Sequence, residues 1–175
     1  MKRSDINPMP PFFDRYINLV EDIDIFEAFE KYTPGQVYCE ISKLSALGDQ
    51  VYAENKWTVR DILQHVIDNE RIMSYRALRF SRNDRTELPG YDEAVLGANT
   101  MAGQRTIQDL MEEFEQVRAS TKLMFKYMSE GMIQCAGTAN QTRITPLALG
   151  FVIIGHPVHH MNVIRDKYFP LLELS

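Results

Sequence analysis

TPLALGFVIIGHPVHHMNVIRDKY, residues 145–168, decides how the rest of the chain is read. Thr145 suits an N-cap, and Pro146 stands at the first helical position, where a missing N–H costs nothing. An α-helix advances about 100° per residue, which sorts the apolar residues that follow into two stripes. One carries Leu147, Phe151, Ile154, Val158 and Met161; the other, roughly opposite, carries Leu149, Val152, Ile153 and Val163. A helix apolar on two sides is buried between neighbours. The spacing predicts a central helix running to about Tyr168, with Pro170 just beyond. Pro157 removes one backbone hydrogen bond and clashes with the Ile153 carbonyl. The pattern continues past it, so a kinked, continuous helix is expected, with the Ile153 carbonyl left free.

Three of the chain's four histidines fall in this segment. His156 and His160, one turn apart on the second stripe, can converge on one ion, as the paired histidines of HExxH helices do for zinc. His159 is rotated towards the smaller, more polar side with Ala148, Gly155, Asn162 and Asp166, and reads as a supporting or surface residue. The fourth histidine, His65, lies in a second helical segment, in line with Ile62, Asn69, Ile72 and Arg76. If the two helices are neighbours, His65, His156 and His160 make a three-histidine site. Three neutral imidazoles with one open position is a catalytic type of coordination. The competing reading makes them hydrogen-bonded core histidines.

Working outward, Thr58 with Asp61 resembles a capping box and opens the second helix, expected to reach about Phe80. Thr106 with Asp109 opens a third, expected to end near Gly131. The connector 81–103, rich in turn residues, marks a functional loop or a crossover. A second connector spans 135–144. Residues 1–11, with three prolines, read as an extended lead-in, and residues 12–48 as a first helical region broken near Pro34. No segment alternates at period two. The expected fold is all-α, a four-helix bundle with a long connector between the second and third helices.

The chain has 175 residues, 45% of them hydrophobic and 25% charged, which fits a single domain spanning 1–175. A net charge of −5 without a basic run disfavours nucleic acid and anionic membrane surfaces as partners. No apolar stretch reads as a membrane span and no leader follows Lys2 and Arg3, so a cytoplasmic location is expected. Cys39 and Cys135 read as free thiols.

WTVRDILQHVIDNER (57–71) and GHPVHHMNVIRDKY (155–168), with the helix order and the long connector, resemble the DinB-like superfamily, which includes YfiT-like metal-dependent hydrolases and relatives that act in thiol transfer. The resemblance covers about residues 36–168. It implies a divalent site of the nickel or zinc type held by His65, His156 and His160, open to a cleft at one side of the bundle, and a homodimer. The expected function is that of a metal-dependent enzyme, a hydrolase or low-molecular-weight thiol transferase, acting on a small-molecule substrate. The alternative is a non-catalytic metal- or ligand-binding stress-response bundle.

Further candidates surround His65. Asp68 either orients a histidine or acts as a base, or belongs with Asn69 to a solvated polar pair. Glu70 either pairs with Arg71 or Arg76, or projects into the cleft as a catalytic carboxylate. Arg76 either meets an anionic substrate group or is an ordinary surface or ion-pair arginine. Tyr91 and Asp92 are candidates for the site mouth, and Trp57 reads as a hydrophobic staple or core anchor. Imidazole ligands must be neutral, so metal binding is expected to weaken as pH falls through about 6–7.

Overall fold

The computed structural model describes residues 1–173. In chain order its elements are α1 (Asp14–Ile17), α2 (Ile25–Lys31), α3 (Pro34–Val37), α4 (Ile41–Ala46), α5 (Val59–Ser81), α6 (Glu93–Ala98), α7 (Ile107–Lys126), α8 (Glu130–Ile133), β1 (Gly137–Ala139), β2 (Thr142–Ile144) and α9 (Pro146–Val163).

Three threonines open the three long helices. The Asp61 amide donates to Thr58 Oγ1 at 3.2 Å and the Thr58 amide donates back to Asp61 Oδ2 at 2.9 Å. Thr106 and Asp109 repeat the reciprocal pair at 3.1 and 3.0 Å. Thr145 accepts from the Ala148 amide, with Pro146 at the first helical position. Each cap satisfies donors that a helix start leaves orphaned. α9 runs through Pro157 without a stop, as expected, and continues as a π-helical turn over Ile164–Tyr168.

The remaining elements depart from the sequence reading. Residues 12–48 form four short helices rather than one region with a single break. Asp24 caps α2 through the Phe26 amide, and Thr33 with Gln36 caps α3, so Pro34 begins a helix instead of merely ending one. α7 stops at Lys126, and Ser129 caps the separate turn α8. The lead-in contains a 3-10 turn at Arg3–Asp5. The second connector holds an antiparallel hairpin, β1 on β2, with Gly137 opposite Ile144. Its two-residue loop, Asn140 and Gln141, has φ of 47° and 62°, the doubly positive φ that suits a strand twist. Three-residue strands are too short to show a period-two pattern. Leu88 of the first connector pairs with Ala139, donating to the Thr138 carbonyl and accepting from the Asn140 amide, both at 2.9 Å. Two loops that read as independent are thus sewn together.

α9 packs against α5 and α1, and α7 against α5, with α2 and α3 closing the first position of the bundle. Every residue of α9 from Pro146 to Pro157 is buried. The run Pro146–Glu173 does have the length and hydropathy of a membrane span, contrary to the sequence reading; 72% of its most apolar stretch is buried inside the bundle. Apolar burial on this scale drives assembly at about 25 cal/mol per Å².

The core divides into two apolar clusters. One joins Leu147–Ile154 of α9 to Met73, Ala77 and Phe80 of α5, with Ile17, Ile25 and Phe125. The other joins Met161 and Ile164 to Val59–Ile67 of α5 and Ile107–Phe114 of α7. Between them lies a polar layer: Glu70 on α5, Arg118 and Thr121 on α7, and His156 on α9, all buried.

Candidate metal centre

α5 and α9 lie side by side, and this brings His65 to the two histidines of α9. His156 Nε2 stands 3.2 Å from His65 Nε2 and 3.0 Å from His160 Nε2. The three ligand atoms all lie within 4.8 Å of one another. His65 and His156 are buried, and His160 is partly so.

Electrostatics favours neutral rings. Burial holds His65 down at about 4. Burial, with the nearby His65 and His159, holds His160 at about 3. His156 is driven well below the ordinary imidazole value, by burial first and by the other three histidines next. Three neutral rings turn Nε2 towards one point, and each can offer that nitrogen's lone pair to an ion there. Nitrogens that bind one zinc-sized ion at about 2.0–2.1 Å in tetrahedral array stand about 3.3 Å apart. The donor set therefore fits a divalent ion. The proton competition expected at the pH of free imidazole moves to more acidic pH, because burial has already favoured the neutral form.

The walls explain how the rings are held. Trp57 tilts against His65 with ring centroids 4.9 Å apart, so it is part of the site as well as an anchor before the helix. Tyr16 on α1 meets His156 edge-on at 5.0 Å and His159 at 5.3 Å. That approach depends on Gly155: a Cβ there would meet the Tyr16 carbonyl oxygen at 2.0 Å. His159 is partly buried and meets His160 edge-on, with ring centroids 5.2 Å apart, without joining the cluster.

Glu70 pairs with neither Arg71 nor Arg76. Arg118 Nε donates to both its oxygens, at 3.0 and 3.1 Å, and the Arg118 Nη2 group donates to Oε2 at 2.9 Å. Arg118 donates further to the Tyr32 carbonyl at 2.8 Å and to the Ile153 carbonyl at 3.2 Å. The Ile153 carbonyl is the one that Pro157 releases from the helix ladder. Tyr38 donates to the Pro157 carbonyl at 3.2 Å. Two side chains thus satisfy backbone carbonyls on either side of the ladder gap that Pro157 leaves. A signal for Arg118 existed in the sequence, since it interrupts the stripe Phe114, Thr121, Phe125 on α7.

Asp68 accepts from Gln64 Nε2 at 3.0 Å and lies 3.7 Å from Arg71, in a network that includes Arg105 and Glu113 on the α7 side. Burial raises its carboxyl. Asn69 is buried and donates to the Tyr91 hydroxyl at 2.7 Å, while its Oδ1 is buried without a partner among the described residues. Asp92 caps α6 through the amides of Ala94 and Val95. The next residue, Glu93, together with Tyr91 and Arg76, lines a cavity of about 360 Å³. A second cleft, of about 350 Å³, is lined by Tyr52, Trp57, Ala94 and His160, so α6 borders both. Neither Tyr16 nor Glu93 carries a sequence signal, since both are brought to the site by loops and short helices.

Arg76 is neither a surface arginine nor an ion-pair arginine. It is 4% exposed, and among the described residues no carboxylate pairs with it.

The DinB superfamily profile matches residues 19–164. Among solved structures, YfiT from Bacillus subtilis is similar at 17% identity and a TM-score of 0.64, over 91% of this chain and 87% of that one. It is described as a probable metal-dependent hydrolase with an unusual four-helix bundle topology. At this identity the likeness establishes the fold, an all-α four-helix bundle whose first member here is segmented. No curated protein matches the chain. With its bundle topology and most of its length matched, the chain belongs to the DinB superfamily.

Proposed function

We propose that His65, His156 and His160 hold a divalent ion and that the protein is a metal-dependent enzyme acting on a small molecule, by hydrolysis or by transfer of a low-molecular-weight thiol. The observation that carries this is the triangle of Nε2 atoms, 3.0 and 3.2 Å apart along two sides, in rings that burial keeps neutral. Imidazole donors suit zinc and nickel. A bound divalent ion supplies Lewis acidity and lowers the pKa of a water or thiol beside it. The protein's own part is to hold three lone pairs on one point, with Trp57 and Tyr16 fixing two of the rings and α6 bordering the approaches.

Elemental analysis of untagged protein tests the site: about one divalent ion per chain is expected in the wild type and almost none in His156→Ala. Equal, negligible metal in both sinks the reading. Ester, amide and electrophile-plus-thiol substrates then test turnover with and without metal. Activity lost in His160→Ala and kept in His159→Ala supports the ligand set, and the reverse pattern overturns it. Metal retained without turnover on any class assigns a non-catalytic binding bundle.

A further inference from the structure

A buried cation normally has a buried anion, because a charge removed from water is costly unless paired. Arg76 departs from this rule. Its guanidinium donates to the Pro89 carbonyl at 3.0 Å and approaches Met73 Sδ at 3.7 Å. The rest of its five donors have no protein partner among the described residues, and the side chain lines the cavity of about 360 Å³. The Tyr91 ring stands 5.7 Å from the guanidinium carbon. The Tyr91 hydroxyl accepts from Asn69, which leaves its own proton to donate. Asn69 Oδ1, behind it, is a buried acceptor still wanting a donor.

Geometry links this cavity to the histidines. His65, Asn69 and Arg76 recur at i, i+4 and i+11 on α5, which places them on one face. Tyr16, edge-on to His156, feels the charge of Glu93, as does Tyr91. The cavity and the histidine cluster therefore lie along one face of α5, and α6 borders both the cavity, through Glu93, and the cleft beside His160, through Ala94. Glu93 sets the charge balance. One arginine set against one carboxylate suits a singly charged anion that also carries a hydrogen-bond donor, and disfavours a dianionic phosphate.

We propose that Arg76 and Tyr91 form the anchoring site for a carboxylate on the substrate, so that the molecule presented to the histidine cluster is a small carboxylic acid bearing an N–H or O–H donor. The proposal rests on the reading of the cluster as a metal site, but the anchor itself needs no metal. A charge-assisted pair of this kind is stronger than a neutral hydrogen bond.

The test is calorimetric titration of chelator-treated protein with glycine, N-acetylglycine, succinate, N-acetylglycinamide and inorganic phosphate. Saturable binding of at least one of the carboxylates is expected, with N-acetylglycinamide silent. Arg76→Met should weaken it roughly tenfold or more and Tyr91→Phe by a few-fold. Arg76→Lys, which keeps the charge but not the planar fork, should fall between. His156→Ala should retain carboxylate binding while losing metal, so the two readings fail separately. Should the Arg76 variants not fold, Tyr91→Phe decides: unchanged binding there overturns the proposal. So does carboxylate binding that is absent in the wild type, or equal in wild type and Arg76→Met. Phosphate as the only ligand that binds through Arg76 overturns the carboxylate assignment.

Discussion

Two buried arginines, Arg118 and Arg76, occupy the same bundle under opposite conditions. Arg118 is 2% exposed and meets both oxygens of Glu70, itself 1% exposed, together with two backbone carbonyls. Arg76 is 4% exposed and meets a carbonyl, a thioether and a cavity. A saturated charge ties elements together: Arg118 joins α7 to α5, to the Tyr32 carbonyl and to the Ile153 carbonyl of α9. An unsaturated charge is held at a cost by the rest of the fold and points to what it is kept for. The histidines follow the second pattern, with three ring nitrogens facing one hollow.

The largest effect should come from breaking the saturated site. Arg118→Leu leaves Glu70 buried and unpaired and should cost about 3–5 kcal/mol. The double variant Glu70→Leu/Arg118→Leu should recover much of that loss in denaturant unfolding. A double variant no more stable than the single one would show that Arg118 acts through its backbone contacts instead.

The next effect concerns pH in the absence of metal. The folded values of His65, about 4, and His160, about 3, lie below the ordinary 6.5. The unfolded chain therefore binds protons more readily, and stability falls as pH drops from about 6.5 towards those values. Chelator-treated protein should show its denaturation midpoint decline across that window, and His65→Leu should flatten the decline. A flat midpoint in the wild type would contradict the burial of neutral rings.

Smaller still is Tyr38→Phe, which deletes the donor to the Pro157 carbonyl and should cost about 0.5–1.5 kcal/mol. The smallest change is expected for Arg76→Met. With no carboxylate left behind, its thermal midpoint should stay level or rise, whereas Arg118→Leu lowers its own by many degrees. Similar losses at both arginines would erase the distinction between them.

Much of this was legible in the chain. The three long helices follow from Thr58, Thr106 and Thr145 and from apolar periodicity, both local properties. The pairing of His156 and His160 on one face follows from a single turn of helix. His65 needed the adjacency of α5 and α9, which periodicity suggests but does not state. Partners across helices were not legible. Glu70 lies next to Arg71 in sequence yet pairs with Arg118, because helical rotation turns the two neighbours apart. The short helices before Ala46 and the hairpin were missed because each rests on one cap or one turn, with too few residues to set a period. Tyr16 reaches His156 only because Gly155 lets two backbones touch.

The seam between the two connectors, where Leu88 pairs with Ala139, has a consequence for how such a protein diversifies. It sets Gly90 and Tyr91 beside Asn140, so closely that a Cβ on Gly90 would meet the Asn140 side chain at 2.5 Å. The histidines stand on long helices, and much of the cavity wall stands on this stitched pair of loops. Loops can be exchanged while helices are kept. On the function proposed above, the bundle separates the part that would fix an ion from the part that would choose a molecule, and a new specificity could be grafted at the seam while the three histidines stay in place.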